Sequence, residues 1–102
     1  MTKKENLITL IRYCHDSIYK WAEKVDNKEI KNLLSAVRTE SENIYSSMLN
    51  LNEKSQKYKK LKNKLETIYI FICDVVLHLA EIVEDNKYDV AWKQFENIIK
   101  AN

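Results

Sequence analysis

The 102-residue chain contains no glycine and no proline. Glycine supplies the left-handed backbone that many tight turns and bulges need, and proline interrupts helices and sheets. A chain without either residue is expected to be helical almost throughout and to turn on asparagine, aspartate, serine and lysine. It also has no glycine-rich phosphate-binding loop and no nucleophile elbow, so we do not expect an enzyme.

Length and composition predict one domain over residues 1–102. Hydrophobic residues make up 45% and charged residues 31% of the chain, a mixture typical of an amphipathic helical bundle. The net charge of +2 is too small by itself to indicate nucleic-acid binding. Charged residues between Arg12 and Lys20 interrupt the first apolar segment, so neither a signal peptide nor a membrane span is expected. We therefore predict a cytoplasmic protein.

The spacing of apolar residues predicts four helices. The first is expected over residues 3–25, the second ends near residue 50, the third runs from Tyr58 to about residue 84, and a short fourth includes 88–99. The predicted architecture is an all-α, antiparallel four-helix bundle with three long helices and a shorter fourth.

The boundary between the second and third helices depends on the phase of the apolar stripe. The stripe slips by one residue across 50–57, which predicts a loop there rather than one continuous helix across 28–84. Capping boxes, in which a helix-starting side chain and a carboxylate satisfy each other's backbone amides, are a second boundary signal. The pattern occurs at Thr2 with Glu5 and at Asp26 with Glu29.

The two cysteines, Cys14 and Cys73, both have apolar helical neighbours. Reduced, buried thiols are the first interpretation, and a disulfide or a reactive thiol remains an alternative. Their spacing is not that of a zinc site, so no metal and no cofactor is expected.

Two histidines have acidic neighbours in the sequence. Asp74 and His78 are four residues apart and can pair on one helix face, but two ligands do not make a metal site, so we interpret the pair as structural. His15 and Asp16 are adjacent, about 100° apart around a helix, and are not expected to interact. No catalytic residue is predicted.

The stretch 68–80 is apolar on nearly every helix face. Either the third helix is enclosed by the others, or part of its surface binds a partner protein or a second copy of the chain. Tyrosines that fall outside the apolar stripes are further interface candidates. The predicted partner-binding residues are Tyr13, Tyr19, Tyr45, Ile70, Phe71, Val76 and Leu77.

Six lysines cluster around the start of the third helix, against the single acidic residue Glu53. Cations there oppose the helix dipole, which suggests an anionic partner, although a solvated loop that keeps the protein soluble is the simpler interpretation. An acidic protein surface is favoured over nucleic acid because no arginine cluster accompanies the lysines. The predicted basic patch consists of Lys54, Lys57, Lys59, Lys60, Lys62 and Lys64.

Two families are similar in outline. The long first helix, the Asp26-Asn27 turn and the Leu65-x-x-Ile68-Tyr69-x-Phe71 pattern resemble flagellin export chaperones, and this implies a bundle that clasps a disordered protein tail. The size, lysine content and four helices are similar to bacteriocin immunity proteins, which act inside the producing cell. Neither resemblance includes a specific motif, so no family is assigned.

These features predict a small, non-catalytic module that masks, inhibits or escorts a partner protein, as immunity proteins, inhibitors and export chaperones do. The alternative is a nucleic-acid accessory protein that uses the basic patch. A homodimer through the third helix is a further option. A metal or redox bundle built on Asp74, His78 and the cysteines ranks last.

Overall fold

The computed structural model describes the backbone of residues 3–101 and the side chains of residues 6–101. Over these residues the chain is helical without any strand, which confirms the predicted all-α class and the loop after the second helix. The predicted capping box at Thr2 and Glu5 lies outside the described side chains. The helices are α1 (Lys3–Lys24), α2 (Lys28–Leu49), α3 (Gln56–Leu77), α4 (Leu79–Glu84) and α5 (Tyr88–Lys100).

The core lies around α3, which packs against each of the other four helices. Burial of each large aliphatic side chain contributes about 1.5–3 kcal/mol to folding. The predicted polar position on the α2 stripe, Ser41, is also buried, and its hydroxyl donates to the Val37 carbonyl at 2.7 Å. The fully buried aliphatic residues include Ile8, Ile11, Ile30, Leu33, Leu34, Leu65, Ile68 and Ile72.

The turn between α1 and α2 depends on Asp26, whose φ of 53° lies in the left-handed region. The Asn27 amide donates to the Ala22 carbonyl at 2.9 Å, the long bond of a Schellman motif that ends α1. Asn27 then starts α2, because its Oδ1 accepts the Ile30 amide at 3.0 Å. The prediction that Asp26 caps the second helix is therefore wrong: Asp26 ends α1, and the cap is one residue later.

The end of α4 repeats this motif without glycine. Asn86 has a φ of 55°, and the Lys87 amide donates to the Ile82 carbonyl at 2.9 Å. Short polar side chains are the non-glycine residues that tolerate this conformation best. The two turns are also joined, since Asn27 Nδ2 donates to the Tyr88 hydroxyl at 3.0 Å.

The predicted third helix is interrupted at His78, so its continuous course to residue 84 is wrong. His78 has φ −110° and ψ 17° between α3 and α4. Its backbone amide and its ring Nδ1 both lie 3.0 Å from the Asp74 carbonyl oxygen. A side chain that bonds a carbonyl one turn earlier competes with the helical ladder and favours a bend. The predicted Asp74–His78 pairing thus takes the form of a side-chain-to-backbone contact.

Candidate protein-interaction site

Exposed apolar side chains are concentrated on α1 and α3. On α1, Tyr13 is 72% exposed and Leu10 is 43% exposed, and on α3 Ile70 and Leu77 are 60% and 77% exposed. We call these four residues the α1–α3 face. Single exposed apolar residues are ordinary, but several on two packed helices are typical of an interaction surface.

A shared cavity relates the exposed residues of α1 to those of α3. Leu10 lines a cavity of about 300 Å³ together with Glu66. Ile70 follows Glu66 by four residues, so the two residues share one side of α3. Ile70 therefore lies one turn beyond this cavity, on the side of α3 that meets α1 there.

The last turn of α3 extends this surface. Leu77 follows Ile70 by seven residues, about two turns, and continues the same side of the helix. Val76, another predicted partner-binding residue, is 45% exposed. The exposed part of the predicted α3 surface is therefore Ile70, Val76 and Leu77.

Phe71 is the predicted partner-binding residue that the fold buries. Its side chain is only 5% exposed, and its ring packs against Phe95 of α5 with the ring centroids 5.6 Å apart. The predicted enclosure of the third helix therefore applies to only one side of it. The side that carries Phe71 is enclosed by α5, whereas the side that carries Ile70 remains exposed.

Tyr19 and Tyr45 lie apart from the α1–α3 face and are half-buried. Tyr19 stacks on His15 with the ring centroids 5.3 Å apart. The Arg12 guanidinium carbon lies 5.6 Å from the centroid of the Tyr45 ring, a cation–π distance. These two tyrosines belong to a polar network between α1 and α2, so the predicted partner-binding set is divided between two surfaces.

Glu42 is the centre of that network and binds both arginines of the chain. Arg12 donates from Nε and Nη2 to the two carboxylate oxygens, each at 2.7 Å, and Arg38 Nε donates at 2.9 Å. The hydrogen bond from Arg12 is the main cause that holds the pKa of Glu42 below its ordinary value. Sequence reasoning missed this site. The one available signal was the four-residue spacing of Arg38 and Glu42.

His15 and Asp16 interact, contrary to the sequence prediction. His15 Nδ1 lies 2.9 Å from Asp16 Oδ1, and Arg38 Nη1 lies 3.0 Å and 3.1 Å from the same two atoms. Because Arg38 of α2 approaches both side chains, they converge despite the angle between them on the helix. The hydrogen bond from His15, assisted by Arg38, lowers the pKa of Asp16.

The predicted basic patch is divided between free and internally bonded lysines. Lys62 Nζ lies 3.7 Å from Glu66 Oε1, and Lys64 Nζ donates to the Ile99 carbonyl at 2.9 Å. Lys64 thereby places a cation at the C-terminal end of α5, where the helix dipole favours it. The exposed members of the patch are Lys54, Lys57, Lys59 and Lys60.

A groove between α2 and α5 was not predicted. It encloses about 480 Å³, and its apolar lining includes Ala36, Trp92, Phe95 and Ile99. The three-four spacing of the last three residues was visible in the sequence and is that of one helix side. The structure buries Phe95 and leaves Trp92 and Ile99 half-buried at this groove.

A second cavity, of about 360 Å³, lies where α3, α4 and α5 meet and is lined in part by Asp74, His78, Glu81 and Lys87. Lys87 Nζ donates to Glu81 Oε1 at 2.7 Å across it. Within the described part of the chain, no three histidine, cysteine, aspartate or glutamate side chains are grouped as metal ligands.

The two cysteines are free and half-buried, Cys14 on α1 and Cys73 on α3. Burial is the main cause that raises the pKa of the Cys14 thiol, and the Cys73 thiol raises it further. Interaction with Cys73 is also the main cause that raises the pKa of Tyr69.

Comparison of the chain with protein-family models, curated proteins and solved structures finds no match. Among the helices of the described residues, none has the length and apolar character needed to cross a membrane.

Proposed function

We propose that the chain is a non-catalytic cytoplasmic module that binds, and so masks, inhibits or escorts, a partner protein through the α1–α3 face. The observation that carries the proposal is the exposure of Ile70 and Leu77, 60% and 77%, on the helix that otherwise forms the centre of the core. Covering such side chains contributes on the order of 1 kcal/mol or more each to association.

We also propose that the helices form an antiparallel four-helix bundle, with α4 continuing α3 beyond the bend at His78. The short connections after α1 and α4 support this arrangement, as does the Asn27–Tyr88 bond between the two turns. The bundle holds α1 and α3 side by side before a partner arrives. Because the two helices are already fixed relative to each other, binding costs little conformational entropy of the chain.

The spacing of the exposed residues favours an apolar, helical or extended segment of the partner. Ile70 and Leu77 are seven residues apart, so their Cα atoms are separated by about 10 Å along the helix axis. That distance matches two anchors spaced by two turns on an amphipathic helix. Tyr13 adds an exposed ring with a hydroxyl at the α1 edge, the kind of side chain that is enriched at interfaces.

The test uses a pair of variants matched in exposure. Ile70→Ser changes the proposed face, and Val90→Ser changes a valine that is 54% exposed on α5. We would capture binding proteins from a lysate of the source cells, identify a near-stoichiometric protein by mass spectrometry, purify it, and measure its Kd by calorimetry. We expect Ile70→Ser to weaken binding about tenfold or more, and Val90→Ser to leave Kd unchanged.

Equal losses in the two variants, or no loss in either, would contradict the α1–α3 face as the binding surface. Urea unfolding of both variants controls for stability. Sedimentation of the purified chain alone tests whether the partner is a second copy. A concentration-dependent dimer that Ile70→Ser abolishes would assign the face to self-association, and a chain without any protein partner would overturn the proposal.

Nucleic-acid binding is the second candidate because four lysines of the basic patch are exposed beside the start of α3. Binding of this kind weakens steeply with salt. The test is a gel shift at low salt with the double variant Lys59→Glu/Lys60→Glu, matched by Lys93→Glu on α5. A shift lost only in the double variant supports this candidate, and no shift for the unaltered chain eliminates it.

A further inference from the structure

We propose that the groove between α2 and α5 binds a small organic cation, an ammonium group carried by an aryl or alkyl body. The groove encloses about 480 Å³, within the range of about 300–1,000 Å³ that is usual for small-molecule sites. Its lining comes from within residues 35–40 of α2 and 92–100 of α5. Those α5 residues extend over about 12 Å, which accommodates a small molecule but only about two turns of a docked helix.

The apolar floor of the groove is aromatic, and the core holds it in place. Phe95 is buried and packs on Phe71 with the ring centroids 5.6 Å apart. The Trp92 ring meets Phe95 at an angle of 70°, with the centroids 6.4 Å apart. Trp92 itself is half-buried, so part of its surface remains available to a ligand. Because the core already orders these rings, binding a ligand here costs little side-chain entropy.

The charged residues of the lining favour a cation over an anion. Glu96 and Lys100 face each other, with Oε2 of the glutamate 3.9 Å from Nζ of the lysine. Glu40 of α2 is half-buried, and within residues 6–101 its carboxylate has neither an ion-pair nor a hydrogen-bond partner. The Glu96–Lys100 pair is neutral as a whole, so the charge of Glu40 is left uncompensated in the groove. A bound ammonium group would balance that charge.

The tryptophan and the carboxylate favour the same class of ligand. The face of an indole ring has a negative electrostatic potential, and tryptophan binds cations more strongly than the other aromatic side chains do. The hydrocarbon body of the ligand would cover Trp92 and Ile99, both of which are half-buried at the groove. A neutral ligand would gain only this apolar contact, and an anion would be repelled by Glu40. The expected order of affinity is therefore cation, neutral molecule, anion.

The experiment titrates three probes that share one apolar body and differ in charge: phenylbutylammonium, phenylbutanol and phenylbutanoate. Binding is followed by the amide and indole N–H signals of the isotopically labelled full chain. The chain has two tryptophans, so the Trp21 indole on α1 is an internal control for that of Trp92, and Trp21→Phe assigns the two signals. We expect the Trp92 indole to shift with a Kd on the order of 1 mM for the cation. The anion should bind about tenfold more weakly, and the alcohol should be intermediate.

A pair of variants on α2 tests the role of the carboxylate. Glu40→Gln removes the charge from the groove, and Glu29→Gln removes the same charge from an exposed residue of α2 outside the groove lining. We expect Glu40→Gln to weaken binding of phenylbutylammonium about fivefold and to leave the Kd of phenylbutanol unchanged. Glu29→Gln should change neither Kd. An effect on the cation alone indicates a charge contact, because a distorted groove would weaken both probes.

Several results would overturn the proposal: equal affinity for the cation and the anion, unchanged cation affinity in Glu40→Gln, or shifts at the Trp21 indole instead of Trp92. No shift with any probe up to about ten times the expected Kd would also overturn it. A Trp92 signal that moves with protein concentration alone would assign the groove to a second copy of the chain and reject the small cation. The groove lies on α2 and α5 and its test needs no partner protein, so the outcome is independent of the proposed function.

Discussion

Arg12 and Glu42, 30 residues apart in the sequence, form a two-pronged ion pair in which Nε and Nη2 of the arginine donate to the two carboxylate oxygens, each at 2.7 Å. The pair joins α1 to α2 at the edge of the core. Arg38, which lies on the same helix as Glu42, also donates from its Nε to the Glu42 carboxylate, at 2.9 Å. Because two guanidinium groups bind one carboxylate, this network is a geometrically specific polar contact between the two helices.

The network predicts a pH-dependent contribution of Glu42 to stability. Glu42→Gln should lower the free energy of unfolding by about 1 kcal/mol at pH 7, a modest value because both side chains remain partly in water. The folded pKa of Glu42 is lowered, chiefly by the bond from Arg12. The contribution is therefore fully present above the unfolded pKa, about 4.3, and is lost as the pH falls through the lower folded pKa.

Urea unfolding of wild type and Glu42→Gln between pH 7 and pH 2.5 tests this prediction. The difference between them should stay constant down to about pH 5 and shrink below about pH 4. Glu23→Gln, at an exposed residue of α1, is the control and should change stability little at either pH. A difference that grows on acidification would contradict the assigned role of the ion pair.

Neighbouring residues on α3 should respond in opposite ways to truncation. Phe71→Ala removes a ring that is 5% exposed and packed on Phe95, so we expect a loss of about 3–5 kcal/mol in unfolding free energy. Ile70→Ala, at 60% exposure, should cost less than about 1 kcal/mol. Denaturant unfolding of the two variants measures this contrast, and similar losses would contradict the observed orientation of α3.

The left-handed turn residues predict a stabilising change. Asp26→Gly should raise the unfolding free energy by about 0.5–1 kcal/mol, because glycine adopts a φ of 53° without the steric cost of a side chain. Asn27→Gly, one residue later, has no such gain and loses the side-chain cap of α2. Thermal unfolding should move Tm up for the first variant and down for the second. The reverse order would contradict the turn geometry.

The bond between Asn27 and Tyr88 predicts an energetic coupling between the two turns. Asn27→Ala and Tyr88→Phe should each lower the free energy of unfolding. The double variant should lose less than the sum of the two single losses, because each single variant already removes the shared hydrogen bond of 3.0 Å. We expect a coupling energy of about 0.5–1.5 kcal/mol. Additive losses in chemical denaturation would indicate that the bond contributes nothing.

Local chemistry in the sequence was sufficient to predict most helix boundaries. The phase slip before Tyr58 correctly placed the loop after the second helix, because a stripe that changes phase cannot keep one continuous side buried. The sequence correctly located the turn at Asp26, but it assigned the cap of α2 to Asp26 rather than to Asn27. Schellman and capping patterns use the same polar residues, so the sequence did not distinguish an aspartate that ends α1 from one that starts α2.

The bend at His78 and the ion pair of Arg12 with Glu42 show where sequence patterns were insufficient. The apolar stripe continues past His78, and nothing in its spacing indicates that the imidazole bonds the Asp74 carbonyl. The ion pair depends on the relative rotation of α1 and α2, which packing determines. The same rotation brings Arg38 to His15 and Asp16, two side chains that helix geometry alone would separate.

By itself, the sequence determined that this chain is helical, where its main loops lie, and that its third helix has more apolar surface than one buried side needs. Those properties follow from backbone chemistry and periodicity, which act over a few residues. Only the tertiary structure decided that Phe71 is enclosed while Ile70 is exposed, and that Arg12 meets Glu42. These outcomes depend on which sides of distant helices pack together, and the periodicity of any single helix leaves that rotation undetermined.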